Sequence, residues 1–228
     1  MAITLGAVTF DDKHTTVREK QEEVGGRNER QIEIVGVILG ESSLSDVESK
    51  LDAIADAASE EDYSAVLSVR AGRRLLVRRE SFVREVARES LAGSFALKLA
   101  AKDPFEEASS TTNVNWTISI SGATKAVSAN GNVFSRPTIT LVASGAVVNP
   151  SFSDGTRTIA FSGTVADGET LVLDAVTGLA TLEDEDVTPY SSGLFPRISP
   201  EGTTLTYEDD DASSHAASVT VGFRDRWW

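Results

Sequence analysis

QIEIVGVILGESSLSDVESKLDAIADAAS, residues 31–59, changes period halfway along, and that change decides how the first half of the chain folds. Its opening, QIEIVGVILG, alternates apolar and polar residues at first and then becomes nearly continuously apolar. The pattern predicts a strand that starts half exposed and ends buried. In SSLSDVESKLDAIADAAS the apolar residues Leu44, Val47, Leu51, Ile54 and Ala58 recur at steps of three and four, which places one stripe on one face of a helix. Ser45 with Glu48 three residues later fits a capping box, and Asp46 adds favourable charge near the helix N-terminus. No other segment reads convincingly as an amphipathic helix.

Outward from this stretch the period is two. On its N-terminal side GGRN, residues 25–28, precedes a strand pattern and reads as a hairpin turn rather than a phosphate-cradling loop, which would open a helix. On its C-terminal side SAVLSVRAGRRLLVRRESF (64–82) reads as a hairpin turning at Ala71-Gly72. FVREVARES follows it, and then SFALKLAA, where Phe95, Leu97 and Leu99 share one side. Strands plus one helix make the first module α+β. The composition then shifts at DPFEEASSTTN (103–113). Residues 1–111 hold 15 of the Lys and Arg, whereas 112–228 hold six (Lys125, Arg136, Arg157, Arg197, Arg224, Arg226). A boundary is expected at Ser109–Asn113, giving modules 1–111 and 112–228. The second module is all-β: VNWTISISG, RPTITLVASG, TRTIAFSGTV, ETLVLDAVTG, GTTLTYED and ASVTVGFRDRWW are short alternating runs broken by Gly, Asn, Asp or Pro. Such spacing predicts a sandwich or jelly-roll. Val219, Val221 and Phe223 make the last run a strand, so the terminal Trp227 and Trp228 end an anchored element.

Composition narrows the function. The net charge of −14 argues against a general nucleic-acid binder and against an anionic membrane surface. No apolar run approaches the ~18 residues that a bilayer requires. The start MAITLGAVTF lacks the basic region and apolar core of a secretory signal. With no cysteine, disulfides, Cys-zinc sites and thiol catalysis are all excluded. The two histidines, His14 and His215, lie in polar contexts (DDKHTT, SSHAAS) and read as exposed surface residues that fit no zinc signature. EDED (183–186) and EDDD (208–211) could feed oxygens to calcium, yet they lack the D-x-[DN]-x-[DN]-G pattern and read as solvated loop tips. Paired glycosidase carboxylates normally stand beside aromatic platforms, and aromatics here are only 7%. No catalytic, cofactor-binding or metal residues are therefore assigned, and no cofactor is expected.

The unusual feature is basic. Arg70, Arg73, Arg74, Arg78, Arg79, Arg84 and Arg88 crowd one hairpin and its continuation, interspersed with Glu80, Glu85 and Glu89. Thin aromatic interleaving disfavours nucleic acid. Guanidinium–carboxylate forks suit a contact with an acidic surface on a neighbouring copy. Arg70, Arg73, Arg74, Arg78 and Arg79, with Trp227 and Trp228, are the expected subunit- or domain-interface residues.

Taken in order, these motifs resemble the distal tail protein family of long-tailed phages and phage-like particles. The resemblance spans almost the whole chain. It rests on GGRNERQIEIVGVILGES and AAKDPFEEASS (Gly26, Arg27, Arg30, Gly36, Asp103, Pro104, Phe105), then on GNVFSRPTITLVASG (Gly131, Asn132, Arg136, Pro137). GLFPRISPEGTTLTY (Phe195, Pro196, Pro200, Gly202) and FRDRWW (Phe223, Arg224, Arg226, Trp227) complete it. The chain departs from the family where Glu106-Glu107 follow Asp-Pro-Phe and where Thr203 follows the Pro-x-Gly turn. The resemblance implies a tail-tube-like N-terminal module, a β-sandwich or barrel with one helix, and a galectin-like C-terminal β-sandwich. It implies a non-enzymatic structural component of the virion's tail tip or baseplate. Such a subunit forms a homohexameric ring that joins the tail tube protein to the tip hub protein. DNA crosses the lumen without specific binding, and no membrane is involved. The alternative is a carbohydrate-binding or receptor-adhesion module, for which Trp116 and Tyr190 are the platform candidates. A tail-tube subunit proper comes third.

Overall fold

The computed structural model describes residues 3–24 and 27–228. It divides into two compact units: one ends at Ser109 and also takes in Trp228, and the other runs from Ser110 to Trp227.

The first unit comprises β1 (Ile3–Leu5), β2 (Val8–Phe10), β3 (Thr15–Val24), β4 (Arg27–Ile38), α1 (Leu44–Asp56), β5 (Ala65–Ser68), β6 (Arg73–Ala87), β7 (Ala92–Ala101) and β8 (Glu106–Ala108). Antiparallel neighbours run in the order β2-β1-β5-β6-β7-β4-β3, and β8 pairs with the start of β6. Alternation sends Ile32, Ile34, Leu75, Val77, Phe95, Leu97 and Leu99 into one core, where Val47, Leu51 and Ile54 of α1 meet them. Two glycines let these layers close. A Cβ at Gly93 would stand 2.8 Å from Val47 Cγ1, and one at Gly36 would stand 2.6 Å from the Phe95 ring.

Three local expectations are corrected. The helix is capped by Ser43, not by Ser45 with Glu48: Ser43 Oγ accepts from the Asp46 N–H at 3.1 Å and donates to Asp46 Oδ2 at 2.7 Å. The box sits two residues earlier because Leu44 is already helical. QIEIVGVILG does not end buried. It keeps its two-residue alternation, so Val35, Val37 and Leu39 are 36%, 41% and 52% exposed on the face away from the core. Finally, the segment after the Ala71-Gly72 turn is one continuous 15-residue strand, β6, with a bulge between Arg79 and Ser81. The bulge re-aims the second half of the strand, which is how two apparent pieces form one element. Gly72 supplies the turn at φ +71°. The expected turn at Gly25-Gly26 lies outside the described residues. Register on either side of it runs from Thr15↔Gly36 to Val24↔Arg27.

The second unit comprises β9 (Thr112–Ile118), β10 (Thr124–Val127), β11 (Thr138–Ala143), β12 (Val147–Val148), β13 (Ser151–Ser153), β14 (Thr158–Phe161), β15 (Thr164–Val165), β16 (Thr170–Asp174), β17 (Leu179–Leu182), β18 (Glu185–Asp186), β19 (Ser191–Gly193), β20 (Thr203–Glu208), β21 (Ala217–Phe223) and β22 (Arg226–Trp227). One sheet orders β10-β20-β13-β14-β19, another β18-β17-β16-β11-β21-β9, and β12 pairs with β15. Side chains from both large sheets fill one core: Trp116, Ile139, Leu141, Leu171, Leu173, Val219 and Val221 against Phe152, Ile159, Phe161, Leu205 and Tyr207. Trp116, Phe152 and Tyr207 interlock with ring centroids 5.5–6.5 Å apart. Among the described residues the fold is mostly β with one α-helix.

Candidate functional site

The arginine-rich hairpin folds against carboxylates of its own chain. β8 pairs antiparallel with the start of β6, Arg73 opposite Ala108 and Arg74 opposite Glu107, which brings Glu106 to the turn. The Glu106 side chain, 3% exposed, meets Arg30 at 3.3 Å, Arg73 at 3.1 Å and Arg70. Glu19 on β3 takes Arg30 and stands 3.5 Å from Arg70. Arg30, itself 3% exposed, also donates through Nη1 to the Pro104 carbonyl at 3.0 Å, and Gln21 Nε2 reaches the same oxygen at 3.3 Å. Two carboxylates thus hold three guanidiniums and strap residues 103–108 onto the sheet. Charges this deep are stable only because each has several partners.

The remaining expected interface arginines have partners too. Arg74 reaches Glu107 at 3.3 Å, Arg79 reaches Glu60 at 3.0 Å and the Ala55 carbonyl, and Arg78 lies over the Tyr63 ring at 5.2 Å. Arg84 pairs with Asp52 on α1. Sequence reasoning picked out the hairpin arginines and named Arg30 and Glu106 only as a family marker and a departure; it did not pair them, and it missed Glu19. An Arg-rich hairpin followed some 30 residues later by Glu-Glu was the signal available. Trp228 is 53% exposed and tilts its ring against Phe105 at 5.2 Å; Trp227 is half-buried.

A second feature lies within the second unit, where GNVF meets FRDRW. Asp225 Oδ1 accepts the Asn130 N–H at 2.9 Å, and Asp225 Oδ2 accepts from Asn130 Nδ2 at 3.4 Å. The Arg226 carbonyl accepts from the N–H groups of Asn132 (2.9 Å) and Val133 (3.2 Å), while Arg226 Nη1 donates to the Phe134 carbonyl at 3.1 Å. Gly131 lies so close that a Cβ would fall 1.9 Å from the Arg226 carbonyl oxygen. Asp225 and Arg226 are buried, so this clasp fixes β22 at the end of the sandwich.

Other candidates resolve differently. His14 is exposed beside Asp11, as expected, but His215 is only 30% exposed. Its Nδ1 lies 2.8 Å from Asp209 Oδ1, and the Tyr207 hydroxyl donates to Asp209 Oδ2 at 2.8 Å. Asp209 is therefore no solvated loop tip, and burial followed by this carboxylate pushes the Tyr207 hydroxyl far above its ordinary pKa. Glu183 and Asp184 form an exposed two-residue hairpin turn with positive φ, while Asp186 accepts from the Thr188 N–H. Among the described residues no three His, Asp or Glu side chains converge as metal ligands would. A cleft of about 270 Å³ in the first unit has a floor of Phe10, Ile54 and Phe95. Its acids are already paired, Asp11 with His14 and Glu41 with Lys50. Trp116 lies in the core and cannot serve as an exposed platform; Tyr190 is 62% exposed. No helix among the described residues is long and apolar enough to cross a membrane.

From Asn130 onward the sandwich and its clasp overlap a known domain. Residues 130–227 match the family model described as the C-terminal domain of the siphovirus-type tail component. The match lies within the second unit, which is similar to that domain. Over its full length the chain is similar in structure to the SPP1 Dit (gp 19.1) protein, with a TM-score of 0.69 and 11% identity, covering 100% of this chain and 99% of that one. That protein is described as a paradigm of the hub adsorption apparatus in phages infecting Gram-positive bacteria. At this identity the likeness establishes the fold, and the family resemblance read from the sequence is borne out. No curated protein matches the chain.

Proposed function

We propose that this chain is a virion tail component, a non-enzymatic ring subunit that joins the last ring of the tail tube to the tip hub. The observation that carries the reading is the tail-component match of residues 130–227 within a fold like that of SPP1 Dit from end to end. Two physical features support a ring. The first sheet is open at both edges, and one edge, β3, is ten residues long with Arg18 and Lys20 facing solvent. Such an edge is a liability in a lone molecule, and closure with identical copies removes it. The charge of −14 lets DNA pass a lumen without adhering. Six copies, a tail-tube-like first module and a galectin-like second one complete the reading. Arg70, Arg73, Arg74, Arg78 and Arg79, with Trp227 and Trp228, lie at its contacts between copies or modules. The subunit acts by geometry: it sets symmetry, lines the channel and holds tube and hub. Light scattering with negative-stain imaging tests this. Annular particles of uniform symmetry are expected; a protein that stays monomeric alone and beside its tube and hub partners overturns it.

A further inference from the structure

The C-terminal clasp is built on a single dipeptide, Asn130-Gly131. Glycine is required because any side chain would collide with the Arg226 backbone, and asparagine because its amide meets Asp225. Together they place in an exposed loop the pair most prone to intramolecular attack, since glycine leaves the following backbone nitrogen unshielded. Asparagine is also among the thermolabile residues. We infer that Asn130 is a self-modification site whose deamidation opens the C-terminal clasp.

The step needs only water. The deprotonated Gly131 nitrogen bonds to Asn130 Cγ, the Cγ–Nδ2 bond breaks, and ammonia leaves. Water then opens the succinimide to aspartate or isoaspartate. Either product replaces the amide donor with a carboxylate facing Asp225, which is buried and already negative. Two like charges at one site disfavour each other. Isoaspartate also adds a backbone atom where Gly131 must lie flat on Arg226. Both changes release the Arg226 carbonyl from Asn132 and Val133 and loosen β22, which carries Trp227. The other asparagines, Asn28, Asn113, Asn115, Asn132 and Asn149, precede Glu, Val, Trp, Val and Pro, all bulkier neighbours.

The full-length protein is aged in mildly alkaline buffer, mapped by peptide mass, and treated briefly with trypsin, which cuts after Arg224 and Arg226 once β22 is free. Residue 130 is expected to convert before any other asparagine. Aged protein and a fresh N130D variant are both expected to release the tryptophan-containing end roughly tenfold faster, the factor that ~1.4 kcal/mol of lost protection gives. Conversion elsewhere with Asn130 intact overturns the inference, as does converted protein that resists trypsin like fresh protein. If N130D fails to fold, the aged wild-type chain still decides.

Discussion

Arg30 and Glu106 show what the first unit depends on at the residue scale. Each side chain is 3% exposed, and removing Arg30 takes a partner from Glu106, Glu19 and the Pro104 carbonyl at once, leaving the two carboxylates only the more exposed Arg70 and Arg73. Arg30→Ala is expected to cost ~3–5 kcal/mol in urea unfolding, the usual penalty for breaking a buried pair. A loss below about 1 kcal/mol would mean that the cluster is solvated and does not hold the strap. Asp154 offers a pH test. Burial pushes its carboxyl up, but the N–H groups of Arg197, Arg157 and Thr156 outweigh this and hold it below the usual carboxylate range. A depressed folded-state value stabilises above the unfolded pKa of ~3.9 and is lost as pH falls through the folded one. D154N is therefore expected to lower stability near neutrality and to flatten the acid limb of the melting-temperature profile. A parallel downward shift at all pH values would remove the carboxylate's role.

At the scale of elements, α1 was legible in the sequence because its stripe repeats over four turns, and Val47, Leu51 and Ile54 are buried as that stripe requires. Its cap was misplaced because Ser43 and Ser45 offer nearly equivalent patterns, and only backbone geometry separates them. S43A is expected to cost about 1 kcal/mol and S45A almost nothing; equal losses in thermal unfolding would contradict the observed cap. L51A is expected to cost ~2–5 kcal/mol, since its side chain is wholly buried. The longer strands of the sandwich were legible by alternation. The short ones, β12, β13, β15, β18, β19 and β22, span two or three residues each, too few for a period to show. Exposed Val35, Val37 and Leu39 misled for another reason: composition marks a residue as apolar but does not say which face it takes. The clasp and the Arg30–Glu106 pair escaped detection because their partners lie 95 and 76 residues apart along the chain.

At the scale of the whole molecule, the order of motifs along the chain, more than any single one, carries the resemblance to the tail-component family. The arginines are where assembly and stability must be told apart. In R73E/R74E, an interface role predicts lost assembly with a chain that still melts cooperatively near the wild-type temperature. A purely internal role predicts a lower melting temperature first, because Glu106 and Glu107 lose their partners. Removing Trp227 and Trp228 is expected to lower the melting temperature and to weaken assembly; unchanged values for both would deny those rings any structural part.

The central claim, a tail ring acting through shape, is tested most directly by imaging the purified chain mixed with its tube and hub proteins. Closed rings of one symmetry around an open channel, seated between tube and hub, are expected. Isolated monomers decorating neither partner would contradict it.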